Sequence, residues 1–357
     1  MNTRTGDSAA VPRGAERRLE RLVEWASRRH GSPPTEVHPI AGDAGLRRYF
    51  RLGFEDGTRV LMDAPGQPLA NIAFRHVAAL LHGEGLRAPR IHAADDALGA
   101  MLLSDLGPTT YLETLEACSE PSATPWERRP DARARERLDA AVEALVRWQA
   151  GSRPQALPPY DAATLRAELD LFATWYAGRH RGAPGGGTSP QWQRHWERLA
   201  ERVVAETAVQ PAVFVHRDYM PRNLTPADGL PGILDFQDAL FGPVTYDVVS
   251  LFRDAFISWP WAWVEERLVD YRARAARAGV PVHGSDRAFL DAAAWMAVQR
   301  HLKVLGIFAR LHYRDGKPRY LADAPRFLGY LRETAARHGD ALDALLRPVL
   351  DPLEEDP

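Results

Sequence analysis

The first hundred positions alternate between helical and strand-like patterns of apolar residues. Helical spacing predicts an amphipathic helix over about 15–29. Residues 46–63 contain two segments typical of strands, joined by a turn at 55–57. A helix is expected over about 69–85, and a short apolar strand at 100–103. Together these elements predict a small lobe that is rich in strands.

From residue 111 onward the apolar residues follow mostly helical spacing. The predicted helices cover about 133–150, 161–177, 190–206, 245–257, 262–279, 286–310 and 320–338. One non-helical island interrupts them, in which apolar strands at 212–215 and 232–236 flank a polar loop at 216–223. This half of the chain is therefore predicted to form a helical lobe with a small β-hairpin inserted.

These two patterns divide the chain into lobes. At roughly 150 residues per domain, a chain of 357 residues also favours two. We predict a helical lead over 1–30, an N-lobe over 31–107 and a C-lobe over 108–357. The fold class is α+β and bilobal, with a small β-rich N-lobe and a larger, mostly helical C-lobe.

Composition and charge exclude several classes of protein. The net charge is −2, from 45 basic and 47 acidic residues, so no overall field favours nucleic acid or an anionic membrane as a partner. The only cysteine, Cys118, excludes an intramolecular disulfide framework and a multi-cysteine metal site. The first residues lack the apolar segment of a signal peptide, and no apolar run is long enough for a membrane helix. A cytoplasmic protein is expected.

Lysine is almost absent from the chain, which excludes a common phosphate-binding motif. Only Lys303 and Lys317 occur. Neither lies in the GxxxxGK[ST] pattern of a Walker A loop, since Lys303 follows a leucine and Lys317 precedes a proline. The GxGxxG pattern of dinucleotide-binding folds is absent as well.

The polar island has the residue types and spacing that phosphoryl transfer from ATP requires. It contains His216-Arg217-Asp218, then Asn223 five positions after Asp218, then Asp235 in the segment Asp235-Phe236-Gln237. An aspartate can orient an acceptor hydroxyl and take its proton, while amide and carboxylate oxygens suit Mg²⁺. Each residue alone would be explained as a turn former or a helix cap. The three together, at kinase spacing, favour the H-R-D-x-x-x-x-N catalytic loop of kinases.

Three segments also resemble a known family: HRDYMPRNL, LDFQDALFGPVTYDVVSLFRDAF and QRHLKVLGIF. They are similar to small-molecule kinases of the aminoglycoside phosphotransferase type, which are relatives of choline and homoserine kinases. Within that group they most resemble bacterial kinases of cell-wall amino sugars. The resemblance covers about residues 30–340 and implies a protein-kinase-like fold with a nucleotide-binding N-lobe. It also implies that ATP and Mg²⁺ are used to phosphorylate the anomeric hydroxyl of N-acetylmuramate or N-acetylglucosamine in peptidoglycan recycling.

The resemblance implies a role for each residue of the island. Asp218 would be the base that orients and deprotonates the acceptor hydroxyl. Asn223 and Asp235 would be the Mg²⁺ ligands. His216 and Asp247 are interpreted as structural support for the loop rather than as chemical groups.

One feature of the kinase pattern is missing from the N-lobe. Where a strand lysine usually holds the α- and β-phosphates, the equivalent strand has Met62, and no lysine occurs before residue 303. Either an arginine replaces it, with Arg47 and Arg48 as the phosphate contacts beside the small-residue loop 42–45, or the protein is a nucleotide-binding pseudokinase. Ser104 and Leu106 lie in the linker that is expected to hold adenine through its backbone.

The acceptor pocket is expected near the island. Gln237, Asp238, Arg253 and Asp254 are the candidates for contacts with a small sugar, and Arg253 would suit the lactyl carboxylate of N-acetylmuramate. The alternative for Arg253 is a pairing with a structural carboxylate. The alternative acceptors are an aminoglycoside, choline or homoserine. The expected partners are thus a small molecule and a nucleotide, with no oligomeric state predicted.

Overall fold

The computed structural model describes residues 13–40, 47–122, 124, 126–182 and 189–354. The predicted small-residue loop 42–45 lies outside the described residues. The chain divides into two compact units. The first comprises the chain up to His76 together with Pro89–Leu106, and the second comprises Val77–Ala88 and Gly107–Pro357. The chain thus passes from one unit to the other after His76, after Ala88 and after Leu106, and the last of these points lies in the predicted linker.

The first unit contains an antiparallel sheet of five strands in the order β1-β2-β3-β5-β4. Its strands are β1 (Glu36–Ile40), β2 (Arg48–Phe54), β3 (Gly57–Asp63), β4 (Ile91–Asp95) and β5 (Ala100–Ser104). Helix α1 (Arg13–His30) precedes the sheet, and α2 (Pro68–Gly83) follows β3. The sequence predicted α1, α2, β2, β3 and β5, whereas β1 and β4 were not predicted.

Alternation of apolar residues explains the position of this sheet's core. Along β2, Phe50, Leu52 and Phe54 are buried, and they pack with Leu22 and Trp25 of α1. The tight turn between β2 and β3 is made possible by a glycine, because Gly57 has a φ of 121°.

The second unit is mostly helical, as predicted. Its helices are α3 (Tyr111–Ala117), α4 (Ala132–Ala150), α5 (Ala162–Leu171), α6 (Pro190–Ala208), α7 (Tyr246–Phe252), α8 (Trp261–Arg277), α9 (Asp286–Tyr313), α10 (Ala324–His338) and α11 (Asp340–Glu354). Its short strands are β6 (Ser119–Pro121), β7 (Arg128–Pro130), β8 (Ala212–Val215), β9 (Leu224–Thr225), β10 (Gly232–Ile233) and β11 (Leu240–Pro243). A π-helical segment, Phe172–His180, continues α5, and 3-10 turns cover Pro221–Asn223 and Pro318–Asp323.

Several predicted boundaries in this unit are wrong. The helix expected over 161–177 changes to π-helical geometry after Leu171. The strand expected over 232–236 ends at Ile233, and the helix expected over 245–257 ends at Phe252. Strand β8 pairs with β11, and β10 pairs with β9, so the island contains two separate antiparallel pairs instead of one hairpin.

Helix α9 lies at the centre of this unit's core. Leu302, Leu305 and Phe308 on α9 belong to the same buried cluster as Phe172 and Trp196. Helices α6, α10 and α11 contribute further apolar residues to this cluster. Among the residues that the structure describes, no helix is both long and apolar enough to span a bilayer.

Candidate active site

The predicted catalytic loop follows strand β8, whose last three residues are fully buried. Val213, Phe214 and Val215 of β8 have no exposed surface, and β8 pairs antiparallel with β11. The polar loop 216–223 begins where β8 ends, and it closes with the 3-10 turn Pro221–Asn223. A rigid apolar strand therefore positions the first residue of the loop.

His216 and Asp247 hold the beginning of this loop, and both side chains are buried. The Asp247 carboxylate accepts hydrogen bonds from the backbone N–H groups of His216, at 2.7 Å, and Arg217, at 3.0 Å. His216 Nε2 donates to the carbonyl of Leu234 at 3.0 Å, and its Nδ1 accepts from the N–H of Asp218 at 3.3 Å. These side chains therefore connect the loop to α7 and to the segment after β10.

Burial also decides the charge of both groups. It lowers the pKa of His216 to about 4, so the imidazole is neutral near pH 7, in agreement with its one donating and one accepting nitrogen. Burial raises the pKa of Asp247 to about 7, although the two backbone N–H groups favour its carboxylate form. With both ring nitrogens bonded to the backbone, His216 has no nitrogen left for a substrate.

Asp218, the predicted base, is half-buried, and its backbone is fixed on both sides. Its carbonyl accepts the N–H of Met220 at 3.0 Å and the side-chain amide of Asn223 at 2.9 Å. The preceding residue, Arg217, has a φ of 77°, in the left-handed region that favours glycine. The loop thus holds Asp218 in one backbone conformation.

Asn223 and Asp235 lie at the ends of two paired strands. The N–H of Leu234 donates to the carbonyl of Asn223 at 2.9 Å, directly beyond the pairing of β9 with β10. Asp235 follows with a φ of 59°, which turns the chain out of the strand direction. The Oδ1 atom of Asp235 accepts from Gln237 Nε2 at 2.9 Å.

The chemistry of these two side chains fits Mg²⁺. Because the Asn223 amide nitrogen donates to Asp218, its oxygen is the end available as a ligand. An amide oxygen and a carboxylate are the hard donors that Mg²⁺ prefers, with water and phosphate oxygens as its usual further ligands. The described residues contain no group of three or more His, Cys, Asp or Glu side chains arranged to hold a metal alone. One amide oxygen and one carboxylate leave coordination positions for the water and phosphate oxygens that Mg²⁺ usually takes.

The four candidate acceptor residues are divided between two environments. Gln237 is buried and Asp238 is exposed, and Gln237 Nε2 donates to Asp238 Oδ2 at 3.2 Å. Arg253 lies elsewhere, because its Nη1 donates to Glu333 at 2.9 Å. This is the pairing with a structural carboxylate that the sequence left open.

Aromatic rings enclose the same guanidinium. The Arg253 guanidinium carbon lies 4.6 Å from the ring centre of Trp261 and 4.0 Å from that of Tyr330. The neighbouring Asp254 is fully buried, and it accepts the N–H of Ala255 at 2.6 Å. Burial raises the pKa of Asp254 to about 6.

In the first unit, the candidate phosphate contacts differ in their pairing. Arg48 donates from Nε and Nη2 to Asp63, a buried carboxylate at the end of β3 that also accepts from Arg18. Arg47 has a buried Nε without a hydrogen-bond partner among the described residues. Arg48 therefore uses two of its donors within the sheet, whereas the Nε donor of Arg47 is not used by any described residue.

The linker candidates lie at the end of β5. The Ser104 hydroxyl accepts from the N–H of Arg90, and the Ser104 N–H donates to the Arg90 carbonyl, both at 2.8 Å. Leu106 is the last residue of the first unit. Met62, where a kinase lysine was expected, is fully buried in β3.

A buried polar cluster next to the loop was not predicted from the sequence. Glu168 accepts hydrogen bonds from Lys303 and Arg217, and Lys303 also donates to Tyr246 at 2.9 Å. Two signals were available in the sequence. Glu168 occupies the apolar face of its helix, three positions after Leu165, and Lys303 is one of only two lysines.

Comparisons with known proteins agree with the motifs. Residues 36–289 match the profile of the phosphotransferase enzyme family, APH. An N-acetylmuramate/N-acetylglucosamine kinase of Pseudomonas aeruginosa is 47% identical over 305 residues, which cover 85% of each chain. A protein of the same name from Neisseria meningitidis is 37% identical over 321 residues, covering 90% of this chain and 92% of the relative.

Solved structures show the same fold. An ADP-bound aminoglycoside phosphotransferase, APH(2″)-Ib, superposes with a TM-score of 0.58 at 12% identity, covering 88% of this chain and 98% of the other. Choline kinase LicA from Streptococcus pneumoniae gives a TM-score of 0.57 at 10% identity, covering 89% and 99%. The predicted bilobal, kinase-like fold class and the predicted family are both confirmed. The chain belongs to the phosphotransferase enzyme family.

Proposed function

We propose that this protein is an ATP-dependent sugar kinase that phosphorylates the anomeric hydroxyl of N-acetylmuramate and N-acetylglucosamine. The observation that supports this most strongly is the 47% identity, over 85% of both chains, to a kinase named for these two sugars. A cytoplasmic role in peptidoglycan recycling agrees with that acceptor pair. The geometry of the catalytic loop supports the reaction type independently of the comparison.

In this mechanism Asp218 orients the acceptor hydroxyl and takes its proton. An anomeric hydroxyl is more acidic than an ordinary alcohol, so its proton is easier for a carboxylate to take. Asn223 and Asp235 would hold Mg²⁺, which when bound neutralises charge on the nucleotide phosphates. The fixed backbone around Asp218 supplies the orientation on which in-line transfer depends.

The binding residues are part of the same proposal. Gln237 and Asp238 follow Asp235 directly, and we assign them to the sugar hydroxyls. Asp254 is assigned to the acceptor side as well, whereas Arg253, paired with Glu333, is assigned to holding the Asp254 segment in place.

The nucleotide is assigned to the first unit. Of the two arginines, Arg47 is the better phosphate contact, because Arg48 already donates twice to Asp63. Arg48 then supports the strand from which Arg47 extends. The backbone of Ser104 and Leu106 is assigned to adenine. An arginine replaces the missing strand lysine in this arrangement.

Coupled ADP release tests the reaction and the acceptor together. With Mg-ATP as donor, we expect turnover on N-acetylmuramate and N-acetylglucosamine and little on choline or kanamycin. Phosphorus NMR should identify the product as the sugar 1-phosphate. Asp218→Asn should lower kcat by about 10²- to 10⁴-fold, the usual contribution of a general base, and leave the melting temperature unchanged.

The exposed Asp228, in the loop between β9 and β10, provides a matched control. Asp228→Asn makes the same chemical change and should leave kcat within twofold of wild type. Turnover on kanamycin or choline in preference to the sugars would overturn the acceptor assignment. ATP binding without turnover on any acceptor would support a pseudokinase instead.

A further inference from the structure

The carboxylate of Glu168 is the centre of a buried hydrogen-bond network behind the catalytic loop. Its Oε1 accepts from Lys303 Nζ at 2.8 Å and from Arg217 Nη2. Its Oε2 accepts from the amide of Gln299 at 3.0 Å and from the hydroxyl of Tyr160. Four donors satisfy all the acceptor sites that a carboxylate normally uses.

This network is charged as well as buried. The exposed fraction is only 7% for both Glu168 and Lys303. Burial acts to raise the pKa of Glu168, but Lys303 and Arg217 outweigh it and lower the pKa to about 2. Burial likewise opposes the charge of Lys303, yet Tyr246 and Glu168 raise its pKa. The ion pair is therefore retained at neutral pH.

Arg217, the residue before the predicted base, makes hydrogen bonds with three different partners. The Arg217 guanidinium donates to Glu168, and the Arg217 N–H donates to Asp247 at 3.0 Å. The Arg217 carbonyl accepts from Arg300 Nη1 at 3.2 Å. Lys303 and Arg300 both also donate to the hydroxyl of Tyr246, at 2.9 and 3.3 Å.

These contacts explain how Arg217 keeps an unfavourable backbone conformation. Left-handed φ values in residues other than glycine persist only where the surroundings determine them. Side chain, N–H and carbonyl of Arg217 are each fixed by a different partner. Because Asp218 is the next residue, any relaxation at Arg217 rotates the Asp218 carboxylate away from its position.

We propose that Glu168 and Lys303 are positioning residues for phosphoryl transfer, which fix Arg217 and thereby orient Asp218 without touching either substrate. This inference rests on the proposed role of Asp218 as the base. It also gives a reason for a lysine at position 303 in a chain whose other cations are almost all arginines. The compact ammonium donates to Glu168 and Tyr246 beside the guanidinium groups of Arg217 and Arg300, and a larger planar guanidinium would present its donors in a different geometry.

Two single variants test the proposal in the full-length protein. Lys303→Met keeps much of the side-chain volume and removes the charge, and Glu168→Gln keeps the shape and removes the negative charge. For each we expect kcat to fall about 10- to 100-fold, because small errors in the position of a reacting group have effects of this size. The KM values for ATP and sugar should stay within twofold. Lys303→Arg should restore little of the lost kcat.

A double variant covers the case in which a single variant does not fold. Glu168→Gln with Lys303→Met removes one charge of each sign, so the net charge of the cluster is unchanged and Lys303 is not left as a buried cation without its carboxylate. Its kcat should still be low, because Arg217 has lost its carboxylate partner. Asp139→Asn is the control: the ion pairs that it removes are with Arg267 and Arg274 of α8 and not with a residue of the loop, so it should leave kcat unchanged.

Amide hydrogen exchange provides a readout that does not depend on the acceptor. The N–H groups of Arg217 and Asp218 should exchange at least tenfold faster in the variants, while those of β8 keep wild-type protection. Wild-type kcat in a folded double variant, or unchanged exchange at residues 217–218, would overturn the proposal. A rise in KM with unchanged kcat would overturn it as well. If wild type phosphorylates no amino sugar, the proposed function fails, and exchange still decides whether Glu168 and Lys303 fix the loop.

Discussion

Three non-glycine residues in the described part of the chain have left-handed backbone conformations, and two of them, Arg217 and Asp235, lie in the candidate active site; the third is Gln155. Such a conformation costs on the order of 1 to 3 kcal/mol. At Arg217, hydrogen bonds donated to Asp247 and Glu168 and one accepted from Arg300 offset this cost. At these two positions the strained residues are Arg217, which precedes the predicted base, and Asp235, which is a predicted metal ligand. A fixed geometry at both positions favours the proposed chemistry.

The low pKa of Glu168 predicts a dependence of stability on pH. With a pKa of about 2 in the folded chain, against 4.5 ordinarily, Glu168 binds fewer protons in the folded than in the unfolded state between these values. Wild-type stability therefore decreases as the pH falls through this window. Glu168→Gln lacks the titrating group, so its deficit relative to wild type should be constant above pH 6. The deficit should narrow by about 2 kcal/mol between pH 5 and pH 3.

Urea unfolding followed by tryptophan fluorescence at several pH values measures this deficit. Glu143, which is half-exposed on α4 and makes a 3.7 Å pair with Arg147, provides the control. Glu143→Gln should differ little from wild type at any pH, since exposed pairs contribute little. A Glu168→Gln deficit that is constant from pH 7 to pH 3 would contradict the assignment of a charged, buried Glu168.

Among individual residues, the sequence can predict those that belong to a motif with fixed short spacing, but it cannot predict those that meet only through contacts between distant segments. Asp218, Asn223 and Asp235 could be predicted as site residues because a loop and the next strand impose their intervals. Glu168 is separated from Arg217 by 49 positions and from Lys303 by 135. Nothing in local spacing connects them, so only the fold shows that they meet.

Among the elements, the π-helical segment after α5 begins where helix α9 packs closely against it. A Cβ atom built at Gly306 of α9 would lie 2.4 Å from the backbone carbon of Leu171 and 2.5 Å from the nitrogen of Phe172. Helix α9 thus approaches the backbone at the start of the π-helical segment, and only glycine permits this distance. Apolar spacing predicted the helix over 161–177 but could not show where its hydrogen-bond pattern changes.

Gly306→Ala tests the importance of this close approach. The new methyl group would collide with backbone atoms that cannot rotate away, so we expect a loss of at least about 2 kcal/mol in unfolding free energy. Gly329→Ala on α10 is the control, because no atom lies within 4 Å of its added Cβ and alanine favours helix. Urea denaturation should show the first variant destabilised and the second unchanged or slightly stabilised. Equal effects of both would contradict the packing argument.

Across the whole molecule, the change from strand-like to helical patterns predicted the two-part organisation. The structure places the end of the first unit at Leu106, close to the predicted linker, but assigns Val77–Ala88 to the second unit. Periodicity could not predict this, because α2 is one continuous helix whose two ends belong to different units. Strands β1 and β4 were not predicted because their side chains do not alternate between buried and exposed. The β1 side chains are largely exposed, and most β4 side chains are partly buried.

Ligand binding stabilises the folded chain as a whole, which makes thermal unfolding a test of the proposed metal site. A ligand at 100 times its Kd adds about 2.7 kcal/mol to the unfolding free energy, which corresponds to a rise of several degrees in Tm. We expect Mg-ADP to raise Tm by about 5 °C or more, and ADP with EDTA to raise it less. The difference between these two conditions measures the contribution of Mg²⁺.

Asp235→Asn should abolish that difference, because a neutral amide replaces the carboxylate that is proposed to hold the cation. The metal-independent part of the shift from ADP should remain, since the nucleotide contacts assigned to the first unit are unchanged. Asp228→Asn, in the loop between β9 and β10, should keep the full Mg²⁺-dependent shift. If Asp235→Asn also keeps it, Asp235 is not a metal ligand. Loss of the metal-independent shift as well would mean that Asp235 acts on nucleotide binding in general.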